Sequence, residues 1–305
     1  MHIEYVKHSE INKAKWDACV ARAPNGYIFS QSFYLNGMCQ WDALIAGDYE
    51  MLMPLPYHQK MGITYIYHPY FMGQLGIIAL QPVSTKMLQA FVAAIPSKFK
   101  YVDLDFNEGN PLIPLQSAQC HLRSNYVLAL DKPYHVIEKN YRKDAKKNLR
   151  RAAEHLLQVQ ENLPPALVVS YFKAAYASAN KRITQTHYHQ LEAVCNSAIQ
   201  QQKGFTIGLK DTTGNMVAAA FWGIDEKRIY YICGAPTTAG RSLQAQHALV
   251  DAVIKKYAGS NLLLDFEGSD IPFVATFYKK FSPSLNQYMH IRMNRLPFWL
   301  KWLKR

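Results

Sequence analysis

Apolar runs with alternating or continuous character divide the chain into strands, and stretches with helical spacing separate them. Between residues 204 and 236, "GFTIGLK", "NMVAAAFWGI" and "RIYYICGA" are three apolar segments joined by the turn sequences "DTTGN" and "DEK", which predicts an antiparallel meander. The next stretch, "SLQAQHALVDAVIKKYAG", places Leu243, Leu249, Val250, Val253, Ile254 and Tyr257 on one side of a helix, with Ser242 as N-cap and Gly259 just past the end. A further strand, "NLLLDF", follows.

The first half has the same order. "DALIA", "YEMLMPLPY" and "GITYIYHPYF" predict three strands, "VSTKMLQAFVAAI" predicts a helix with Leu88, Phe91, Val92 and Ile95 on its apolar side, and "YVDLDF" is the strand after it. The two Leu-Asp-Phe triplets, at Leu104 and Leu264, stand a domain length apart. A helix between two strands of one sheet makes those strands parallel, whereas the meander is antiparallel. Each half is thus expected to hold a mixed sheet that splays where the two patterns meet, with Leu-Asp-Phe at the edge of the cleft.

The halves diverge after that triplet. "SDIPFVATFYKKFSP" predicts a helix with Ser269 or Asp270 as N-cap, Pro272 in its first turn, and Val274, Phe277, Tyr278 and Phe281 on its buried stripe. The first half continues as "NEGNPLIPLQSAQ", with no such helix. Asp265 and Glu267 share a face if the strand persists through them; the alternative is that they only cap the helix that follows.

Composition narrows the function classes. With 305 residues, 49% of them apolar and 18% charged, the chain has enough apolar material for two domains, expected at 1–132 and 133–305. "MHIEYVKHSE" lacks the apolar stretch of a signal peptide and no run reaches membrane-spanning length, so a cytoplasmic protein is expected. Cys19, Cys39, Cys120, Cys195 and Cys233 form no C-x-x-C pair, which argues against a disulfide framework or thiolate zinc. His187 and His189, two apart on a predicted helix, do not share a face and argue for no metal site.

A net charge of +12 asks for an anionic partner. "EKNYRKDAKKNLRRAAE" carries seven basic and three acidic residues, with Tyr141, Ala145, Leu149, Ala152 and Leu156 at helical spacing. Its cations form either a solvated face or a seat for a phosphate-rich ligand such as RNA or a nucleotide cofactor. The tail "RMNRLPFWLKWLKR" is too short to span a bilayer and reads as docking on the protein, with peripheral contact to an anionic membrane as the alternative.

Three stretches, "YHPYFMGQLGI", "SNYVLALDKPYHVIEKNYRKDAKKNLRRA" and "LLLDFEGSDIPFVATFYKKF", resemble the bacterial Fem-type and cellulose-biosynthesis-type (FemAB-like, CelD-like) acyltransferases, built from two GNAT (acyl-CoA N-acyltransferase) folds. The resemblance implies an α/β protein of two tandem GNAT-like domains, each a mixed, mainly antiparallel sheet flanked by helices. It implies direct acyl transfer from a carrier to an amine, with the first domain non-catalytic. Glu267, or Asp265, is the implied proton acceptor, and Tyr278 the implied proton donor to the leaving group. Backbone N–H groups at Cys233 and Gly234 are implied to bond the donor or its carbonyl. In the implied phosphate loop, "AGRSLQAQ", Gly240, Arg241 and Ser242 are candidate anion ligands, but Gln244 and Gln246 replace the small residues of the pattern.

Three functions follow. One is an N-acyltransferase using acetyl-CoA or another acyl-CoA on a small-molecule or peptide amine. Another is a Fem-type enzyme drawing on aminoacyl-tRNA to modify a cell-wall precursor. The third is a binding protein that has lost the chemistry.

Overall fold

The computed structural model describes residues 2–268 and 270–299. The chain forms two compact units, one within Met1–Ser124 and Gln287–Arg305 and the other Asn125–Asn286. The expected division at residue 132 therefore moves to residue 124, and the second unit does not run to the C-terminus. The first unit is discontinuous in sequence.

The first unit contains β1 (Ile3–Val6), α1 (Lys13–Arg22), α2 (Ser32–Met38), β2 (Gln40–Ala46), β3 (Met51–Lys60), β4 (Ile63–Ile66), β5 (Ile78–Ala79), α3 (Thr85–Ala94) and β6 (Phe99–Asp105). β7 (Gln119–Ala129) leads into the second unit, which holds α4 (Tyr134–Lys139), α5 (Lys143–Glu154), β8 (Gln158–Glu161), α6 (Pro165–Tyr176), α7 (Gln185–Gln200), β9 (Gly204–Lys210), β10 (Met216–Ile224), β11 (Arg228–Pro236), α8 (Thr238–Ser242), α9 (Ala245–Tyr257), β12 (Leu263–Asp265) and α10 (Pro272–Tyr278). β13 (Ser284–Asn294) then returns the chain to the first unit.

In the first unit the strands run β1-β2-β3-β4-β6-β13, and only β4–β6 is parallel among them. In the second the order is β7-β12-β11-β10-β9-β8, and only β11–β12 is parallel. The parallel pairs flank the crossover helices α3 and α9, as the repeated order of elements requires. α3 starts where Ser84 Oγ accepts the Met87 N–H at 3.3 Å, and it buries Leu88, Phe91 and Val92. Each such side chain stabilises the unit by roughly 1.5–3 kcal/mol.

Three expectations need correction. The predicted helix from Ser242 is two helices. Thr237 Oγ1 caps α8 by accepting the Gly240 N–H at 3.0 Å, Ser242 is its last residue, and α9 starts only after Gln244 turns left-handed at φ +56°. Leu156 is not on the buried stripe of α5: it follows the helix at φ +48° and is 69% exposed. The N-cap of α10 is Ile271, with no side-chain cap, rather than Asp270; Ser269 lies outside the described residues. Pro272 does occupy the first turn.

The tail is also different. Arg292–Asn294 end β13, and beyond them Phe298 and Trp299 are exposed at 86% and 59%. Residues 300–305, on which the docking and membrane expectations mainly rest, lie outside the described residues. Among the described residues no helix is long and apolar enough to cross a membrane.

Candidate active site

β11 and β12 pair over three positions only: Arg228 with Leu263, Ile229 with Leu264, and Tyr230 with Asp265. β12 then ends, while β11 continues beside β10 to Pro236. A β-bulge helps them part. Trp222 faces Tyr231 and Phe221 faces Cys233, so Ile232 is the extra residue that bends β11. Tyr231 and Gly234 lie past the last paired residue, on the side of the splay.

Asp265 sits at the vertex and is fully buried. Its Oδ2 accepts from Arg228 NH1 at 2.7 Å, and its Oδ1 accepts from Asn125 Nδ2 at 3.0 Å and from the Glu267 N–H at 3.2 Å. Burying a carboxylate beside a nearly buried guanidinium is tolerable only because both oxygens are bonded. Asp265 is thus occupied in holding the strand ends and the turn after them. The strand does not persist to Glu267, which adopts φ +49° and is followed by Gly268 at φ +57°, so the expected shared face of the two carboxylates is lost. A non-glycine residue held there is uncommon. Glu267 is half-buried.

The same turn launches α10, which carries Tyr278 back over the strand end. Its ring stacks on Phe266 with centroids 4.7 Å apart and meets Tyr231 edge-on at 6.2 Å. Among the described residues its hydroxyl has no hydrogen-bond partner. Burial first, then the nearby Tyr231, Tyr176, Glu267 and Asp265, push its pKa well above that of a free phenol. Tyr278 is therefore a neutral hydroxyl, and Glu267 is close enough to contribute to keeping it so.

Cys233 and Gly234 lie on β11, as expected, and Cys233 is a buried thiol. Cys233 lies against Cys195 of α7. Gly234 is required by packing: a Cβ there would lie 2.5 Å from Ala220 Cβ and 2.6 Å from the Tyr231 hydroxyl. Gly240 is also a packing glycine, since its Cβ would fall 1.9 Å from the Val217 carbonyl oxygen, so α8 rests directly on β10. Arg241 and Ser242 are exposed, and Ser242 Oγ donates to Ala239 O at 2.7 Å. A cradle of consecutive small residues for a pyrophosphate is not formed: Gly240 faces the sheet, Gln244 makes the left-handed break, and Gln246 lies over Tyr231.

Two features escaped the sequence reading. One is the Arg228–Asp265 ion pair, legible only once the parallel register places Arg228 opposite Leu263. The other is the bond from Gln246 Nε2 to the Tyr231 hydroxyl at 2.8 Å, between a helix and a strand whose relative turn depends on the unpredicted kink at Gln244.

α5 contributes a separate surface. A groove of about 730 Å³ is lined by Lys143, Lys146, Lys147, Arg150, Arg151 and Glu154. Tyr141, Ala145 and Ala152 are buried on the opposite face. Among the described residues none of the five groove cations forms an ion pair with a carboxylate; Asp144 instead meets Lys280 at 3.5 Å.

No family model and no curated protein matches the sequence. Among solved structures the chain is similar to FemX at 11% identity and TM-score 0.72, over 100% of both chains. It is similar to a tandem GNAT protein from the clavulanic acid biosynthesis pathway at 11% identity and TM-score 0.54, over 97% of this chain and 99% of that one. L-PGS from Bacillus licheniformis matches at 11% identity and TM-score 0.52, over 95% and 93%. The fold is the tandem GNAT-like α/β architecture.

Proposed function

We propose that the second unit transfers an acyl group from a carrier to an amine by direct attack. The feature that supports this most is the splay beyond Tyr230 and Asp265, bordered by the left-handed turn that holds Glu267 and by the helix that carries the neutral Tyr278 hydroxyl. Glu267 takes a proton from the acceptor ammonium, directly or through water, and the freed amine attacks the acyl carbon. Backbone N–H groups near Cys233 and Gly234 stabilise the oxygen as charge builds on it. As the bond to the carrier breaks, Tyr278 supplies the proton to the leaving atom. Asp265 takes no part in proton transfer and fixes the turn that presents Glu267.

The donor expected first is an acyl-CoA. The α8–α9 junction does not fit a pyrophosphate, so no step depends on coenzyme A contacts there. A second reading, aminoacyl-tRNA as donor, is favoured by the unpaired cations of α5, which suit a run of phosphates. The similarity to FemX and to the tandem GNAT protein supports acyl transfer in general.

The test is acyl transfer from acetyl-CoA, longer acyl-CoAs and aminoacyl-tRNA to a panel of peptide and small-molecule amines, read by mass spectrometry. Transfer is expected from one donor class, falling by about 10²- to 10⁴-fold in Glu267→Gln. No transfer from any donor, or transfer unchanged in Glu267→Gln and Tyr278→Phe, returns the chain to the class of binding proteins.

A further inference from the structure

Arg295 and Leu296 fix the place where the chain leaves the first unit. The Arg295 N–H donates to Lys100 O at 2.9 Å, its NH1 donates to Ile95 O at 3.0 Å at the C-terminal end of α3, and Leu296 is buried. A cation suits that position, because the last carbonyls of a helix carry partial negative charge. Burial ends there. Pro297 is exposed, and the consecutive aromatic residues Phe298 and Trp299 are the most apolar part of the described tail and face water. The expected docking of the tail on the protein is thus not made by the two side chains with most to gain from it.

What surrounds these rings is of one sign. The sequence "RMNRLPFWLKWLKR" contains no acidic residue, and Lys301, Lys304 and Arg305 follow Trp299. Lys100, whose carbonyl holds the base of the tail, is exposed and among the described residues forms no ion pair. A nucleic acid would meet the cations and stack the rings, but it offers nothing to Leu300 and Leu303, which are interspersed with the cations in sequence. An anionic bilayer surface meets both. Its headgroups take the cations, its acyl chains take the aliphatic and phenyl side chains, and an indole favours the boundary between them.

We infer that the segment from Phe298 onwards is a peripheral anchor for an anionic phospholipid surface. Two contributions combine in it: burial of each large apolar side chain strengthens binding by roughly tenfold or more, and each Lys or Arg near the surface by roughly fivefold. A short segment needs both, since a single weak anchor binds only marginally. The inference does not rest on the proposed function, and its test involves no acyl transfer.

The intrinsic fluorescence of the full chain reads this segment selectively. Of the five tryptophans, Trp16, Trp41 and Trp222 are fully buried, and Trp299 and Trp302 belong to the tail. With vesicles of equal parts phosphatidylglycerol and phosphatidylcholine, the emission is expected to move to the blue and to be quenched by brominated acyl chains, and the protein to float with the vesicles on a density gradient. Vesicles of phosphatidylcholine alone are expected to bind at least about tenfold more weakly, and added salt to weaken the anionic binding. Phe298→Ser with Trp299→Ser replaces only exposed side chains, so the fold is not at stake, and is expected to lower vesicle affinity at least about tenfold. Absence of flotation, equal binding to the two lipid compositions, or flotation that survives the double substitution overturns the inference. Flotation without quenching by brominated lipid, or lost instead in Lys147→Glu with Arg151→Glu, places the contact elsewhere and overturns it as well. Tail fluorescence that responds to tRNA and not to vesicles identifies a nucleic-acid contact, with the same consequence.

Discussion

Leu104-Asp105-Phe106 and Leu264-Asp265-Phe266 end equivalent strands in the two units, yet only one leaves an open edge. In the first unit the chain returns at Leu75, whose N–H donates to Asp105 O at 3.0 Å and whose carbonyl accepts the Asn107 N–H at 2.9 Å. Leu75 and Phe106 form a parallel bridge, and Asn107 and Asn110 tie the returning segment at Ile77 O. The gap beside β6 is filled by backbone. In the second unit no bridge among the described residues continues the β11–β12 pairing, and the space is bordered by side chains: Tyr231, Gln246 and Tyr278. A duplicated scaffold thus becomes asymmetric through what fills the splay, while the buried aspartate at its vertex is kept in both copies.

The two aspartates differ in how they are paired, and this gives the largest effect. Asp265 faces an Arg228 side chain that is only 9% exposed, whereas Asp105 is shared by Arg123 at 2.9 Å, His290 at 2.7 Å and His68 at 3.7 Å, with Arg123 35% exposed. Asp265→Ala strands a buried guanidinium and is expected to cost about 3–5 kcal/mol in denaturant unfolding. Asp105→Ala also uncovers the buried His290 ring, but the guanidinium it leaves, Arg123, is 35% exposed, and it is expected to cost less, about 1–3 kcal/mol. Equal losses, resolved by following each unit separately, would erase the distinction.

The next effect is in pH dependence. His247 on α9 accepts from Asn148 Nδ2 at 3.1 Å and packs edge-on against Phe277 at 4.9 Å. Burial, then the charge of Lys280, lowers its pKa from 6.5 to about 4, with Asp144 opposing. The folded state holds this imidazole neutral, so the unfolded chain binds more protons between those values. Its stabilising contribution is complete above about pH 6.5 and is lost as pH falls towards 4, by up to about 3 kcal/mol. Unfolding curves at pH 7 and 4.5 should show that loss in the wild type and a smaller one in His247→Gln, which can still accept from Asn148. The carboxyl of Asp105 is held below its usual range by His68, His290 and Arg123 against the opposing effect of burial. Its contribution likewise fades with acid, but at lower pH.

Two glycines sharpen the contrast at smaller cost. Gly240→Ala drives a Cβ towards Val217 O in the second unit, and Gly76→Ala adds one at φ +78°, 2.9 Å from the Phe106 Cα, in the segment that fills the first splay. Each is expected to lower stability by about 1–3 kcal/mol, read as a shift of the unfolding midpoint. If Gly240→Ala instead weakens anion binding with stability unchanged, Gly240 has the ligand role first expected of it. The smallest stability effect is on α5. Lys147→Glu with Arg151→Glu should change stability by no more than about 0.5 kcal/mol. The salt dependence of tRNA binding should nevertheless flatten by about two phosphate contacts, measured by gel shift over a salt series.

Much of the fold was legible because its signals are local. Meander, crossover helix and strand follow from apolar spacing and turn residues, and β9, β10 and β11 fall where the runs from Gly204, Met216 and Arg228 place them. What escaped depends on distant partners or single torsions. Met289, Ile291 and Met293 alternate with polar residues in a strand pattern, but only tertiary pairing makes β13 a neighbour of β6. Nothing local marks Gln244 for φ +56°, and without that kink the contact between Gln246 and Tyr231 has no reason to exist. Asp265 and Glu267 were singled out by residue type, and their separate surroundings arise from a left-handed turn that alternation does not encode.

Residues 125–286 are contiguous, whereas the first unit needs Met289–Asn294 beside β6. On the ribosome the N-terminal segment emerges first but waits for the last strand, and the later portion can reach its native form earlier. A released chain truncated before residue 287 should therefore expose Leu104 and Phe106 to chaperones while its second unit is already resistant to protease.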